Sequence, residues 1–223
     1  PAFKNAIDIG YKYLETDVHL TKDREVIAFH DESLERVANI SEKISDLTLK
    51  ELSQIKIDNY ATIPTLLELL ELFPEAKINI DPKSDSVVTP LIELIEKTNS
   101  ISRVCIGSFS DKRLKQIHKS LGPKLCVSAG PKSVMKFLAG KYARINSRFT
   151  YHCLQVPQRS GPVKIVTREF VQRAHAKGLQ VHVWTIDDPD KMHELLDLGV
   201  DGLMTDEPST LKDVLIERKT WWD

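Results

Sequence analysis

The chain has 223 residues, with 31 Lys and Arg against 32 Asp and Glu, and the resulting net charge of −1 argues against a protein built to grip the nucleic-acid backbone. A local cationic cleft stays compatible with that balance. Hydrophobic residues at 41%, charged residues at 28%, 9 Gly and 11 Pro exclude disordered and fibrous classes, and no run approaches the roughly 18 apolar residues of a membrane span.

In chain order, Pro1–Asp8 reads as a helix. Short β-branched runs then follow at Tyr13–Leu20, Ala76–Asp81, Arg103–Gly107, Lys124–Ser128, His152–Val156, Gln180–Thr185 and Gly202–Thr205. Helical stretches alternate with them at Pro64–Leu72, Thr89–Lys97, Asp111–Ser120, Lys132–Ala139, Thr167–Lys177 and Asp188–Leu198, with another after Pro208. Ser110-Asp111 is a candidate N-cap, and Gly178 and Gly199 stand where helices end. Repeated strand–helix alternation demands parallel pairing with right-handed crossovers. A doubly wound sheet would carry a Gly-rich first turn, and no G-x-G-x-x-G or Walker-type loop occurs. The expected fold is therefore an α/β chain of the (β/α)8 TIM type. It reads as one domain over 1–223, with an eighth strand expected before residue 1. Asn39–Glu51 and Lys141–Tyr151 read as insertions on the rim. The three cysteines, Cys105, Cys126 and Cys153, lack any Cys-x-x-Cys spacing and fit buried thiols in a reducing, cytoplasmic setting. The opening residue is Pro1 and not methionine, so a secreted or periplasmic address stays open.

The chemistry begins on Tyr13–Leu20. Leu14, Thr16, Val18 and Leu20 share one face, and Glu15, Asp17 and His19 share the other. Inward carboxylates on a barrel strand require a cation or a paired base, whereas an antiparallel strand with a solvated polar face would carry them freely. The second strand favours the first reading. In Lys77-Ile78-Asn79-Ile80-Asp81-Pro82-Lys83, Asn79 and Asp81 take the polar face and Lys83 follows at the C-terminal end, where barrel active sites lie. Glu15, Asp17 and Asp81 together would suit a hard divalent cation, Mg²⁺ or Ca²⁺, and Lys83 would add a point charge for an anionic substrate. The alternative for Lys83 is a solvated pair with Asp85. Between the strands, the apolar run Val26–Phe29 delivers His30 to an edge, followed at once by Asp31. Histidine exchanges protons near neutral pH, although a His-Asp dipeptide alone more often marks a surface loop.

Glu15-Thr16-Asp17-Val18, Thr21-Lys22-Asp23, Val26 through His30-Asp31 and Leu34-Glu35-Arg36 resemble the glycerophosphodiester phosphodiesterase family. Ile63-Pro64-Thr65-Leu66, Asn79 through Lys83, Ser108-Phe109, Val183-Trp184-Thr185 and Gly199 through Asp206 continue the resemblance in order. It implies a (β/α) barrel, with Glu15, Asp17 and Asp81 as metal ligands and His30 as one of two acid–base histidines. Lys83 would lie near the phosphate, and Trp184 would form an aromatic wall. The departures are Asp81 where glutamate is common, Arg24 where a glycine is usual, and a short stretch at Tyr60–Ile63. The family's opening His-Arg and Glu-Asn would precede Pro1.

The function so implied is metal-dependent hydrolysis of small glycerophosphodiesters to glycerol 3-phosphate and an alcohol. No nucleic-acid partner and no integral membrane segment are expected. Two alternatives stand beside it. One is a phospholipase D- or C-like diesterase acting on lysophospholipids, and the other is a catalytically silent barrel used as a binding module.

Overall fold

The computed structural model describes residues 1–57, 60–140 and 151–221. The chain divides into two compact units, one of Pro1–Ile7 and Tyr11–Cys126, the other of Asp8–Gly10 and Val127–Asp223.

The first unit opens with α1 (Ala2–Asp8) and β1 (Tyr13–Leu20). A turn through Thr21–Glu25 leads to β2 (Val26–Ala28), which pairs antiparallel with β1. There Arg24 adopts φ 69°. Then come β3 (Ser33–Leu34), α2 (Glu35–Ala38), β4 (Ile40–Lys43), a 3-10 turn at Ile44–Asp46 and α3 (Leu49–Ser53). The region expected to be a rim insertion is thus ordered. Ile27, Leu34, Ile44, Leu52 and Ile63 are buried together there, with Phe29, Ala38, Ile40, Leu47 and Leu49 packed around them. Short elements of two to five residues hide such a core from periodicity, because none completes the pattern that marks a helix or strand.

Thr65 then caps α4 (Leu66–Leu72) in a capping box with Glu68. Next follow β5 (Lys77–Pro82), α5 (Val88–Lys97), β6 (Val104–Ile106) and α6 (Asp111–Leu121), and β7 (Cys126–Val127) begins where the unit ends. The strand order is β2-β1-β5-β6, and β5 runs parallel to both β1 and β6. Ser110 Oγ accepts the Arg113 amide at 3.4 Å, so the expected cap on α6 is present. Leu114, Ile117 and Leu121 form that helix's buried stripe.

In the second unit come α7 (Pro131–Leu138), β8 (Cys153–Pro157) and the small hairpin β9 (Arg159–Ser160) with β10 (Val163–Lys164). They are followed by α8 (Arg168–His175), β11 (Gln180–Trp184), α9 (Pro189–Leu198), β12 (Gly202–Leu203) and α10 (Pro208–Glu217). The parallel order is β12-β11-β8. Phe137 of α7 meets Phe170 of α8 edge to face, with ring centroids 5.3 Å apart. Gly199 closes α9 at φ 92°, a left-handed conformation that favours glycine. Each strand-like run of the sequence contains an observed strand. Of the second expected rim insertion, Lys141–Tyr151, residues 141–150 lie outside the described residues, and Tyr151 is buried.

Candidate active site

The site grows from the register between β1 and β5. Leu14 faces Ile78, Thr16 faces Ile80 and Val18 faces Pro82, while Asp17 is paired with Asp81. The apolar positions are buried, which commits the alternate residues to the opposite side of the sheet. Lys83 continues the ladder, its amide donating to the Val18 carbonyl at 3.1 Å. Its ammonium therefore arrives beside the acidic pair, with Nζ 2.6 Å from Asp17 Oδ1 and 4.0 Å from Asp81 Oδ2. The pairing of Lys83 with Asp85, the alternative, is not what forms. Asp85 is held instead by Lys112 and Arg113 at 2.8 Å each. Arg113 also donates to the Pro82 carbonyl at 2.9 Å and so braces the turn that carries Lys83.

His30 follows β2, with Nε2 4.0 Å from Asp17 Oδ2. Its Nδ1 lies 2.6 Å from Asp31 Oδ1, and Asp31 Oδ2 accepts from Arg36 Nε at 2.7 Å. A carboxylate only accepts, so Nδ1 carries the hydrogen and Nε2 is the atom turned toward Asp17. Arg36 first, and His30 with it, hold the Asp31 carboxyl below its usual range. Phe109 is 65% exposed, with Lys83 Nζ 6.0 Å from the centre of its ring.

Asp81 is the electrostatic centre. Burial pushes its carboxyl up to about 6; Lys83 opposes the shift and Asp17 adds to it. Its Oδ1 is buried without a hydrogen-bond partner. A buried, unpartnered carboxylate oxygen beside a second carboxylate is the donor chemistry that a hard divalent cation satisfies. Glu15 lies one alternation back on β1, exposed and in register with Asn79. Among the described residues, no three His, Cys, Asp or Glu side chains stand close enough to be a ready-made ligand cluster. A cation held by the residues present would need further oxygens to complete its shell. Trp184 ends β11 in the second unit, half-buried and in register with Pro157.

Two features escaped the sequence. His19 was expected on the polar face with Glu15 and Asp17, but it is 9% exposed. The antiparallel hairpin closes over that end of β1, pairing His19 with Ile27. Its Nε2 lies 3.1 Å from the His30 carbonyl. Burial lowers the pKa of its ring, an effect the bond to His30 opposes. Arg36 was visible only within a motif, five residues after the carboxylate it holds. A hollow of about 250 Å³ is lined by Leu67, Leu70 and Glu71 of α4, by Lys97 and Thr98 at the end of α5, and by Arg103. There Arg103 hydrogen-bonds the carbonyls of Leu70, Phe73 and Ala76, a structural task that ties α4 to β6.

The model of the glycerophosphoryl diester phosphodiesterase family matches residues 1–210. The chain belongs to that family. It is 37% identical over 226 residues to a Mycobacterium tuberculosis protein named "Probable glycerophosphodiester phosphodiesterase 2", covering 99% of this chain and 85% of that one. The solved glycerophosphodiester phosphodiesterase of Thermotoga maritima is 26% identical with a TM-score of 0.73, covering 98% of this chain and 89% of its own. An Oleispira antarctica phosphodiesterase, solved in complex with the product sn-glycerol-3-phosphate, superposes with a TM-score of 0.77 at 22% identity, covering 96% and 90%. The family's fold is α/β of the TIM-barrel type, and the parallel strand–helix alternation of both units accords with it. The family is generally divalent-cation dependent. No helix among the described residues is long and apolar enough to cross a membrane.

Proposed function

We propose that the protein is a phosphoric diester hydrolase that splits glycerophosphodiesters into glycerol 3-phosphate and an alcohol. The observation that carries this reading is the Asp17–Asp81 pair with Lys83 at 2.6 Å on one side and His30 Nε2 at 4.0 Å on the other. Those groups divide the work that a phosphodiester requires. Lys83 presents its ammonium to a non-bridging phosphate oxygen and stabilises the charge that grows there. His30 Nε2 transfers a proton at the attacking or leaving oxygen, its other nitrogen being occupied by Asp31. Phe109, exposed beside Lys83, offers an apolar surface for the carbon skeleton of the substrate.

Glu15, Asp17 and Asp81 would hold the divalent cation, and their all-oxygen donor set favours Mg²⁺ or Ca²⁺ over zinc. When bound, such a cation supplies Lewis-acid neutralisation of the phosphate. The whole chain would serve as one catalytic domain, because the family model runs through both units.

The test is hydrolysis of glycerophosphocholine, followed as glycerol 3-phosphate released, before and after chelation and with Mg²⁺ or Ca²⁺ added back. Lysophosphatidylcholine serves as the competing substrate. Loss on chelation and recovery with one of the two ions is expected. Full turnover by exhaustively chelated protein overturns the metal assignment, and faster cleavage of the lysolipid overturns the substrate class.

A further inference from the structure

We propose that His19 and Arg36 are positioning residues that clamp His30 from opposite ends, one by its backbone and the other, through Asp31, by its ring. The proposal rests on the reading of His30 as the proton-transfer group.

The need for a clamp follows from exposure. The His30 side chain is 69% exposed, so packing contributes little to holding its ring. An imidazole so placed samples several rotamers and both neutral tautomers unless hydrogen bonds select among them. Asp31 makes that selection by taking the Nδ1 hydrogen at 2.6 Å, which leaves Nε2 toward Asp17. Asp31 cannot perform it alone, because its carboxylate also turns about its own bonds. Arg36 Nε fixes the second oxygen at 2.7 Å. Arg36 in turn sits on α2, between Leu34, which is 0% exposed, and Ala38, which packs on the same buried cluster. The ring is thereby referred to a piece of rigid core.

The backbone end is held separately. A carbonyl only accepts, so the 3.1 Å contact requires His19 to donate its Nε2 hydrogen to the His30 carbonyl. His19 belongs to β1, two residues beyond Asp17. The loop bearing His30 is therefore pinned to the strand that carries its acidic neighbour. Misplacement of a reacting group by about 1 Å lowers rates by up to about 10²-fold, which makes such pinning consequential.

The experiment compares Arg36→Ala, Arg36→Lys, His19→Phe, His19→Gln and His30→Ala in the full chain. It reads kcat and KM for glycerophosphocholine, and the imidazole ¹⁵N spectrum of cation-free protein in alkaline buffer. Arg36→Ala should lower kcat about tenfold with KM within about twofold, and His30 should lose its single Nδ1–H tautomer signature. Arg36 is itself 67% exposed, so its removal should shift the melting temperature by no more than about 2 °C. Arg36→Lys should recover part of the rate. His19→Phe should lower kcat, and His19→Gln, whose amide can still donate, should restore it. Wild-type kcat and tautomer in Arg36→Ala, alongside an inactive His30→Ala, overturn the clamp alone. Equal losses in His19→Phe and His19→Gln remove His19 from it. An undiminished rate in His30→Ala overturns the reading of His30 on which the clamp depends.

Discussion

Leu52→Ala probes whether residues 39–53 are a decoration or a foundation. Leu52 is 1% exposed and packs with Ile27, Leu34, Ile44 and Ile63. Truncation removes three carbons, worth about 0.8 kcal/mol each in lost transfer free energy, or roughly 2.4 kcal/mol. The cavity left behind raises the expected loss to about 3–5 kcal/mol, because neighbours anchored in β2 and β3 can collapse only partly. For a chain of this size that corresponds to a fall in melting temperature of roughly 6–20 °C. Lys50→Ala, on the exposed side of the same short helix α3, is the control and should move it by no more than about 2 °C. The assay is thermal unfolding followed by circular dichroism, with hydrolysis measured at low temperature where both variants are folded. Phe29 and Leu34 belong to the same cluster and bracket His30 and Asp31, so Leu52→Ala should also reduce kcat. A melting temperature equal to that of Lys50→Ala would show that this cluster does not support the fold.

Other substitutions test separate parts of the argument. Arg24 holds φ 69°, where a side chain costs about 1 kcal/mol, so Arg24→Gly should raise the melting temperature by about 2–4 °C; a fall would mean that the arginine side chain contributes more than the strain. Lys83→Ala should lower kcat/KM for the diester by about 10²-fold, and Lys83→Arg should retain part of it; unchanged kinetics in Lys83→Ala would remove the ammonium from phosphate recognition. Arg113→Ala removes the bonds to the Pro82 carbonyl and to one Asp85 oxygen, leaving Asp85 to Lys112, and is expected to lower kcat/KM by about tenfold with the folded state intact by circular dichroism. A wild-type rate there would mean that the Lys83 turn holds its own shape.

What the sequence revealed and what it hid divide along the length of the elements. Tyr13–Leu20 and Lys77–Lys83 were legible because each is long enough for period-two alternation to show, and the pairing of Asp17 with Asp81 follows from aligning them. The alternation breaks at His19, where the burial of β1 becomes continuous from Val18 to Leu20. That break is caused by β2, a three-residue strand whose pairing is tertiary and leaves no period in the sequence. Residues 39–53 were hidden for the same reason, since their apolar side chains converge from three short elements with no shared period. Among polar groups, spacing set Lys83 beside the acidic residues of the two strands and kept a pair with Asp85 as the weaker alternative. Both Asp17 and Asp85 were available, and the choice fell to Asp17 because α6 delivers Lys112 and Arg113 to Asp85.

The site and the fold are held by one constraint. A parallel strand that slips by one residue turns every side chain to the opposite face. Were β1 to slip against β5, Asp17 would lose Asp81 and Lys83, but Leu14, Thr16 and Val18 would also leave their places over Ile78, Ile80 and Pro82. Val18 and Ile80 are each 0% exposed, so that slip would expose a buried sheet face to gain nothing in return. Asp81, by contrast, resists its own position, because burial raises its carboxyl pKa and leaves one oxygen unpartnered. A charge disfavoured by its surroundings stays in place when the groups on either side of it are strongly favoured there. Ile80 and Pro82 flank Asp81 directly, and both are buried. Apolar packing thus imposes on the acidic pair a proximity that the two carboxylates would not adopt by themselves, and on the reading proposed above a divalent cation would relieve it.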